Sequence, residues 1–218
     1  MRQLILDLLP NPSFSLENFV IGDNAAALSA LAAWLATTNP ETPFFLWGES
    51  GVGKSHLLRA SRAAYCDAGA DPDLGSLAAA DHYHAIDNVE QLSASGQIAL
   101  FHLINRLRGR GGRLLAAARL APFHLDLRED LRSRLGSGLV YRLQALSEEN
   151  ALVALREHAL ARGMVLPKEV VNYLFQRVPR DMRSLCALLT ALDRYSLEQR
   201  RPLTLPLLRE LLHAPSEL

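Results

Sequence analysis

Hydrophobic positions are spaced in two ways along this chain, and the change falls near residues 144–147. Before it, apolar runs at 43–47 (PFFLW), 82–86 (HYHAI), 113–118 (RLLAAA) and 139–143 (LVYRL) have the length of buried strands. Between these runs the apolar residues recur at helical spacing. Asp23 or Asn24 can cap a helix to about residue 38, with Ala, Leu and Trp34 on its inner face. A helix follows the first strand to about Tyr65. Another covers about 97–108, with Ile98, Phe101, Ile104 or Asn105, and Leu107 at helical intervals, and a further one covers 127–135. Residues 67–81 contain no β-branched side chain and read as loop, or loop with one helical turn.

After Ser147 only helices are expected: 147–162 closed by Gly163, a second opened by Pro167, a third from Asp181 to about 199, and a fourth after Pro202 and Thr204. The predicted fold is therefore α/β with a parallel sheet, followed by a small all-helical lid. The expected divisions are a flexible arm at 1–12, an α/β domain at 13–145 and the lid at 146–218.

The junction between the first strand and its helix carries the chemistry. Gly48-Glu49-Ser50-Gly51-Val52-Gly53-Lys54-Ser55 matches G-x-x-x-x-G-K-[ST] in a strand–loop–helix setting, the signature of a phosphate-binding loop. Glycines let successive backbone N–H groups turn inward toward phosphate oxygens. Lys54 would reach the β- and γ-phosphates, and the Ser55 hydroxyl would ligate Mg²⁺. The bland alternative is a glycine turn that binds nothing.

Asp87 ends the second predicted strand, where an aspartate commonly holds Mg²⁺ through water; otherwise it is a turn or cap residue. The next position is Asn88, which cannot take a proton from an attacking water, and Glu90 stands two residues further on. Slow intrinsic turnover follows. Arg134, after the third strand, either projects toward a neighbour's γ-phosphate or is one surface arginine on an Arg-rich helix. Arg183 opens the third lid helix, as a reporter of nucleotide state or as a solvated charge.

Composition narrows the picture. The 218 residues carry a formal net charge of zero, so no global field draws the chain to nucleic acid. Only Lys54 and Lys168 are lysines, against 21 arginines, and one of the two sits in the phosphate loop. Arg106, Arg108, Arg110 and Arg113 form a local basic patch: a solvated helix end, or a contact to DNA phosphates. His82, His84 and His102 lack metal-ligand spacing. Cys66 and Cys186 read as reduced core thiols of a cytoplasmic protein. No signal peptide or membrane span is expected. The arm Gln3-Leu4-Ile5-Leu6-Asp7-Leu8 is rich in bulky aliphatics, which fits a docking peptide or a strand packed on its own domain.

Taken together these segments resemble the DnaA-related AAA+ family over about residues 3–212. Gln3, Leu4, Leu6 and Leu8 resemble a sliding-clamp-binding motif. Phe14 and Phe19-Val20-Ile21-Gly22-Asp23-Asn24 are similar to the segment that packs on the adenine base. Ile86-Asp87-Asn88-Val89-Glu90 follows the phosphate loop as in these relatives. Ser133-Arg134-Leu135 and Gly138 resemble the arginine-finger box, and Asp181-Met182-Arg183-Ser184-Leu185 the second-sensor helix.

The resemblance implies an AAA+ domain that binds ADP or ATP with Mg²⁺ through Phe19, Val20, Gly48, Glu49, Ser50, Gly51, Val52, Gly53, Lys54, Ser55, His56, Asp87 and Arg183. It implies tethering to the β subunit sliding clamp of DNA polymerase III, with DNA reached indirectly, and Arg134 acting in trans on ATP bound to DnaA. A homo-oligomer is possible on the same grounds. No helix-turn-helix domain is expected after the last helix.

This chain departs from the family in three places. Residues 67–81 leave no obvious strand between the phosphate-loop helix and Asp87, so the sheet is expected to lack a strand or carry a remodelled edge. Ala116-Ala117-Ala118-Arg119 stands where relatives have a polar sensor. Asp7 stands where the clamp motif often has proline. The expected function is a regulatory adaptor that inactivates DnaA. The alternatives are a related helicase loader or initiation factor, and a self-contained P-loop ATPase or kinase.

Overall fold

A computed structural model describes residues 14–36, 43–77, 82–177 and 182–213. The described chain divides into two compact units, meeting in sequence between Ala145 and Leu146. In the first, strands β1 (Phe44–Trp47), β2 (Ala64–Asp67), β3 (Tyr83–Asp87), β4 (Arg113–Ala118) and β5 (Leu139–Arg142) form one sheet in the order β2-β3-β4-β1-β5. Every pairing is parallel.

The strands are apolar on both faces because both faces are covered. Phe44, Leu46, Ala85, Leu115 and Ala117 pack with Leu31 and Trp34 of α1 (Ala25–Ala36) and with Leu57 and Leu58 of α2 (Lys54–Ala60). The alternate residues Phe45, Ile86, Ala116 and Ala118 pack with Leu100, Leu103, Ile104 and Leu107 of α3 (Ala94–Arg110) and Leu131 and Leu135 of α4 (Glu129–Gly136). This two-residue alternation assigns α1 and α2 to one face and α3 and α4 to the other. On α3 the expected Ile104 and Leu107 are buried, but Leu100 and Leu103 complete the inner stripe in place of Ile98, which is exposed.

The sheet lacks no strand. The expected gap was an error of position: α2 stops at Ala60, and Arg62, at φ +60°, turns the chain in the left-handed region. Ala64–Asp67 then pairs in parallel with β3, across the expected end of the helix at about Tyr65 and the start of the expected loop. Only Tyr65 favours a strand locally; the edge of β3 supplies the partner that overrides the weak preference of the rest. Residues 68–77 are turns, as anticipated for most of that segment. Asp71 holds them by accepting from the Gly75 and Ser76 amides at 3.0 and 2.7 Å.

The second unit contains α5 (Glu148–Leu160), α6 (Lys168–Arg177), α7 (Met182–Gln199) and α8 (Leu205–His213). The Ser147 hydroxyl caps α5 by accepting from Asn150 N–H at 3.2 Å. Ala151, Leu155, Val171, Leu174, Leu189, Leu192, Leu207 and Leu208 form its core. Cys66 is buried, but Cys186 is only half-buried in this unit, and neither is in a disulfide. No described helix is long and apolar enough to cross a membrane.

One buried polar group joins distant parts of the first unit. Asn24 caps no helix with its side chain; it accepts from the Gln144 amide at 2.7 Å and donates to the Gln144 carbonyl at 3.0 Å. Asn24→Ala is predicted to leave both Gln144 groups short of a partner. The expected loss is about 1–3 kcal/mol of stability, measured by urea unfolding. A change below the error of the fit would show that water replaces the pair.

Candidate nucleotide-binding site

Parallel pairing brings the phosphate loop to the end of the central strand. The Gly48 amide donates to the Ala118 carbonyl at 3.3 Å, and the Leu143 amide to the Trp47 carbonyl at 2.7 Å. The loop is therefore anchored on both sides. Gly48 has φ +151°, and a Cβ there would strike the Leu143 carbonyl oxygen. Gly53 has φ +100°, and a Cβ there would strike the Phe19 ring. Only glycine suits either position.

Inside this loop lies the Lys54 ammonium, 7% exposed, donating to the carbonyls of Gly48 and Glu49 at 2.7 Å each. Burial pulls its pKa below the ordinary lysine value. The negative charges of Asp87 and Glu90 oppose that shift, and Arg119 adds to it. Ser55 and His56 are half-buried beside it, while Glu49, Ser50 and Gly51 are exposed. A glycine cradle around a buried cation fits the phosphates of a nucleotide. Lys54 and the loop amides would hold the phosphates, and Ser55 with Asp87 would hold Mg²⁺, which supplies charge neutralisation at the phosphoryl oxygens.

The segment ahead of α1 covers the start of α2. Phe19 is buried against Gly53, and Val20 is half-buried. His56 Nε2 lies 2.8 Å from the Ser15 carbonyl, and its ring meets Phe14 and Phe19 at centroid distances of 5.4 and 5.6 Å. Arg59 stacks over Phe14 and Tyr65 at 5.2 and 4.7 Å. His56 thus positions the Phe14–Phe19 segment.

Asp87 is 1% exposed at the end of β3. Tyr65 Oη donates to its Oδ2 at 3.0 Å and the Asn88 amide to its Oδ1 at 3.0 Å. Tyr65 escaped sequence reasoning, because it was expected to end a helix; a tyrosine one strand away from an acidic strand end was the available signal. Burial first, and the adjacent Asp87 charge second, push the Tyr65 hydroxyl up to about 12. Asn88 takes φ +53° and aims its Nδ2 at Asp67 Oδ1, 2.8 Å away at the end of β2. The residue in the place of a catalytic base is thus turned to the sheet edge and held there.

Arg134 is half-buried on α4, with its guanidinium 5.9 Å from the Phe101 ring centroid and its carbonyl accepting from Ser137 Oγ at 2.9 Å. Neither contact is to the phosphate loop. The fully buried Leu131 and Leu135 anchor the opposite face of that helix.

The matches to protein families follow this geometry. Residues 148–212 match the model for the lid domain of Hda, and residues 10–85 that for the bacterial DnaA ATPase domain. The two matches are consistent with a DnaA-related AAA+ protein that carries an Hda-type lid. Its fold is similar to that of domain III of the Thermotoga maritima DnaA, at 24% identity over 94% of this chain and 98% of that one, with a TM-score of 0.78. It is also similar to the AMPPCP-bound DnaA of Aquifex aeolicus, at 24% identity over 86% of this chain and 67% of that one, with a TM-score of 0.71. The RuvB motor of Thermotoga maritima matches at 17% identity over 91% and 70%, with a TM-score of 0.68. These structural likenesses are of fold.

The structure gathers Phe19, the glycine loop, Lys54, His56 and Asp87 at one end of the sheet. Gln3, Leu4, Leu6, Leu8 and the Arg183 side chain lie outside the described residues. The basic patch is smaller than expected. Arg106, Arg108 and Arg110 are exposed, but Arg113 donates from Nη1 to the Leu35 carbonyl at 2.6 Å and ties α1 to β4. His84 is fully buried while His82 and His102 are exposed. Among the described residues no group of three or more His, Cys, Asp or Glu side chains gathers to hold a metal.

The Tyr65–Asp87 bond carries a pH prediction. The Tyr65 proton is held more tightly in the fold than in the unfolded chain, whose tyrosine titrates near 10.0. Its contribution to stability is therefore complete below pH 10 and is lost as pH rises toward about 12. Tyr65→Phe is expected to be less stable than wild type at pH 8 and to lose less between pH 10 and 12, followed by denaturant midpoints. Parallel alkaline profiles for the two proteins would contradict this assignment.

Proposed function

We propose that this chain is a regulatory AAA+ adaptor that binds ADP or ATP with Mg²⁺ and acts on DnaA rather than serving as a fast ATPase itself. The observation that carries this reading is Asn88. A loop suited to phosphates stands beside a strand end whose would-be base is an amide, bonded away from the loop to Asp67. The buried Ala116, Ala117 and Ala118 of β4 offer no side chain to position a lytic water. The match to the lid of Hda and the likeness to a DnaA structure holding AMPPCP support nucleotide binding and a role in replication initiation.

In this proposal the arm residues Gln3, Leu4, Leu6 and Leu8 engage the sliding clamp. Arg134 meets the γ-phosphate of ATP bound to DnaA. A guanidinium stabilises charge that develops on the transferring phosphoryl group, and DnaA then loses its triphosphate. The resident nucleotide of this chain shapes the surface that carries Arg134, and DNA is met through the clamp.

Two measurements test the proposal. Hydrolysis of DnaA-bound ATP, with clamp loaded on DNA, should rise on adding wild type. Arg134→Ala should lose most of a gain of about 10³–10⁵, the range for a trans-acting arginine. Equal stimulation by both proteins would remove Arg134 from the mechanism. Clamp pull-down with Gln3→Ala/Leu4→Ala should lose binding; retained binding would remove the tether. Steady turnover by the isolated protein at about 1 s⁻¹ or more would instead favour a self-contained ATPase.

A further inference from the structure

One helix end carries charge with no counter-charge beside it. Helix α3 has 17 residues and not one Asp or Glu, yet Arg106, Arg108 and Arg110 lie at its close. All three are exposed, as is His102, and His102, Arg106 and Arg110 stand four residues apart on one face. Leu100, Leu103, Ile104 and Leu107 take the buried side. The ion pairs Arg128–Asp130, Arg194–Glu198 and Arg201–Glu210 lie elsewhere. Among the described residues none of the three guanidinium groups has a hydrogen bond or an ion pair. The carboxylates brought to α3 stand at its start: Asp73 accepts from Ser93 and Ser95, and Asp130 pairs with Arg128, whose amide meets Gln97 Oε1 at 2.9 Å. Capping the helix does not account for the arginines. The Leu107 carbonyl already accepts from the amides of Gly111 and Gly112. Arg106 lies ahead of the last turn, where the pull of the helix dipole has faded.

We propose that this end of α3 is a direct, sequence-independent contact for the backbone of duplex DNA. The chemistry of the partner follows from the charge. Guanidinium groups take phosphate oxygens in paired hydrogen bonds, and unpaired ones are ready to do so. Phosphate contacts position a protein on DNA without reading its bases. A protein interface is centred instead on a buried aromatic or aliphatic anchor. Gly109, between Arg108 and Arg110, is open: a Cβ there would meet nothing within 4 Å. A run of phosphates fits such a bare, basic surface. The chain as a whole has no net charge, so the attraction is local. Arg110 is followed by two glycines and then β4, whose first amide, that of Arg113, donates to the His82 carbonyl at 2.7 Å. The arginines therefore stand where strands of the parallel sheet start, and the glycine loop stands where β1 ends. DNA held here leaves the loop free, and the proposal does not depend on a nucleotide being bound. In the adaptor reading the clamp supplies the encounter with DNA, and this surface adds a contact of its own.

The test is fluorescence anisotropy of the full chain with a labelled duplex of mixed sequence, followed from about 50 to 200 mM salt. Three phosphate contacts give a slope of about −2.7 for log K against log salt, so wild type is expected to weaken about 40-fold over that range. Arg106→Ala/Arg110→Ala is expected to bind more weakly and to keep a slope of about −0.9, a loss of about threefold to fourfold over the same range. If alanine disturbs the fold, Arg106→Gln/Arg110→Gln keeps the stems and removes the charge, and the same change of slope is expected. A folded variant with the affinity and slope of wild type overturns the proposal. So does wild type that binds no duplex at the lowest salt. A folded variant that keeps duplex binding but loses the clamp or DnaA in a pull-down assigns the surface to a protein partner, and overturns it as well.

Discussion

Strand β1 has a partner on each side and buried side chains on each face, and the candidate site depends on where that strand ends. Phe44 and Leu46 lie in one apolar layer and Phe45 in the other. A shift of one residue would exchange the layers, so the register is strongly held. The same register holds Gly48 between the Ala118 and Leu143 backbones. The following residues curl, and the curl brings the Lys54 ammonium back under two carbonyls of its own loop. A buried cation in a nest of backbone groups is tolerable because its protons are taken up, and it is ready to meet an anion.

Around that anchored loop, the strand ends divide the labour. Asp87 is held between Tyr65 and its own neighbouring amide, so its position is set before any ion arrives. Asn88 is committed to Asp67, and Glu90 to the amide of Arg119. Binding groups are therefore rigid, while the groups that would cut phosphate are displaced from the strand end. Arg134, fixed through Leu131 and Leu135 but with its guanidinium over Phe101, is on a helix separate from these strand ends.

Much of this was legible in the chain. The strands β1, β3, β4 and β5 were visible as short apolar runs, and the helices of the second unit as spaced leucines after Ser147. Other features were hidden because their partners are remote. Ala64–Asp67 is too short and mixed to announce a strand, with Tyr65 its one strand-favouring side chain, and it becomes one where β3 offers an open edge. Asn24 looks like a helix cap until Gln144 is brought beside it. Arg113 looks like a surface cation until the end of α1 supplies the Leu35 carbonyl. Each misreading came from judging a residue by its neighbours in sequence when its partner lies far off along the chain.

What the sequence determined by itself is the phosphate loop and the layered class of fold. A phosphate cradle is built from consecutive backbone amides and one lysine, so its whole logic fits in eight residues. Buried parallel strands announce themselves because both faces must be apolar. The tertiary structure alone decided which way the polar groups around that cradle face. Asn88 turns to Asp67, and Glu90 accepts the Arg119 amide, because β2 and β4 flank β3 and present those groups. Those neighbours are far off along the chain. In a parallel sheet, the order of strands sets the surroundings of each strand end, and the residues next in sequence do not.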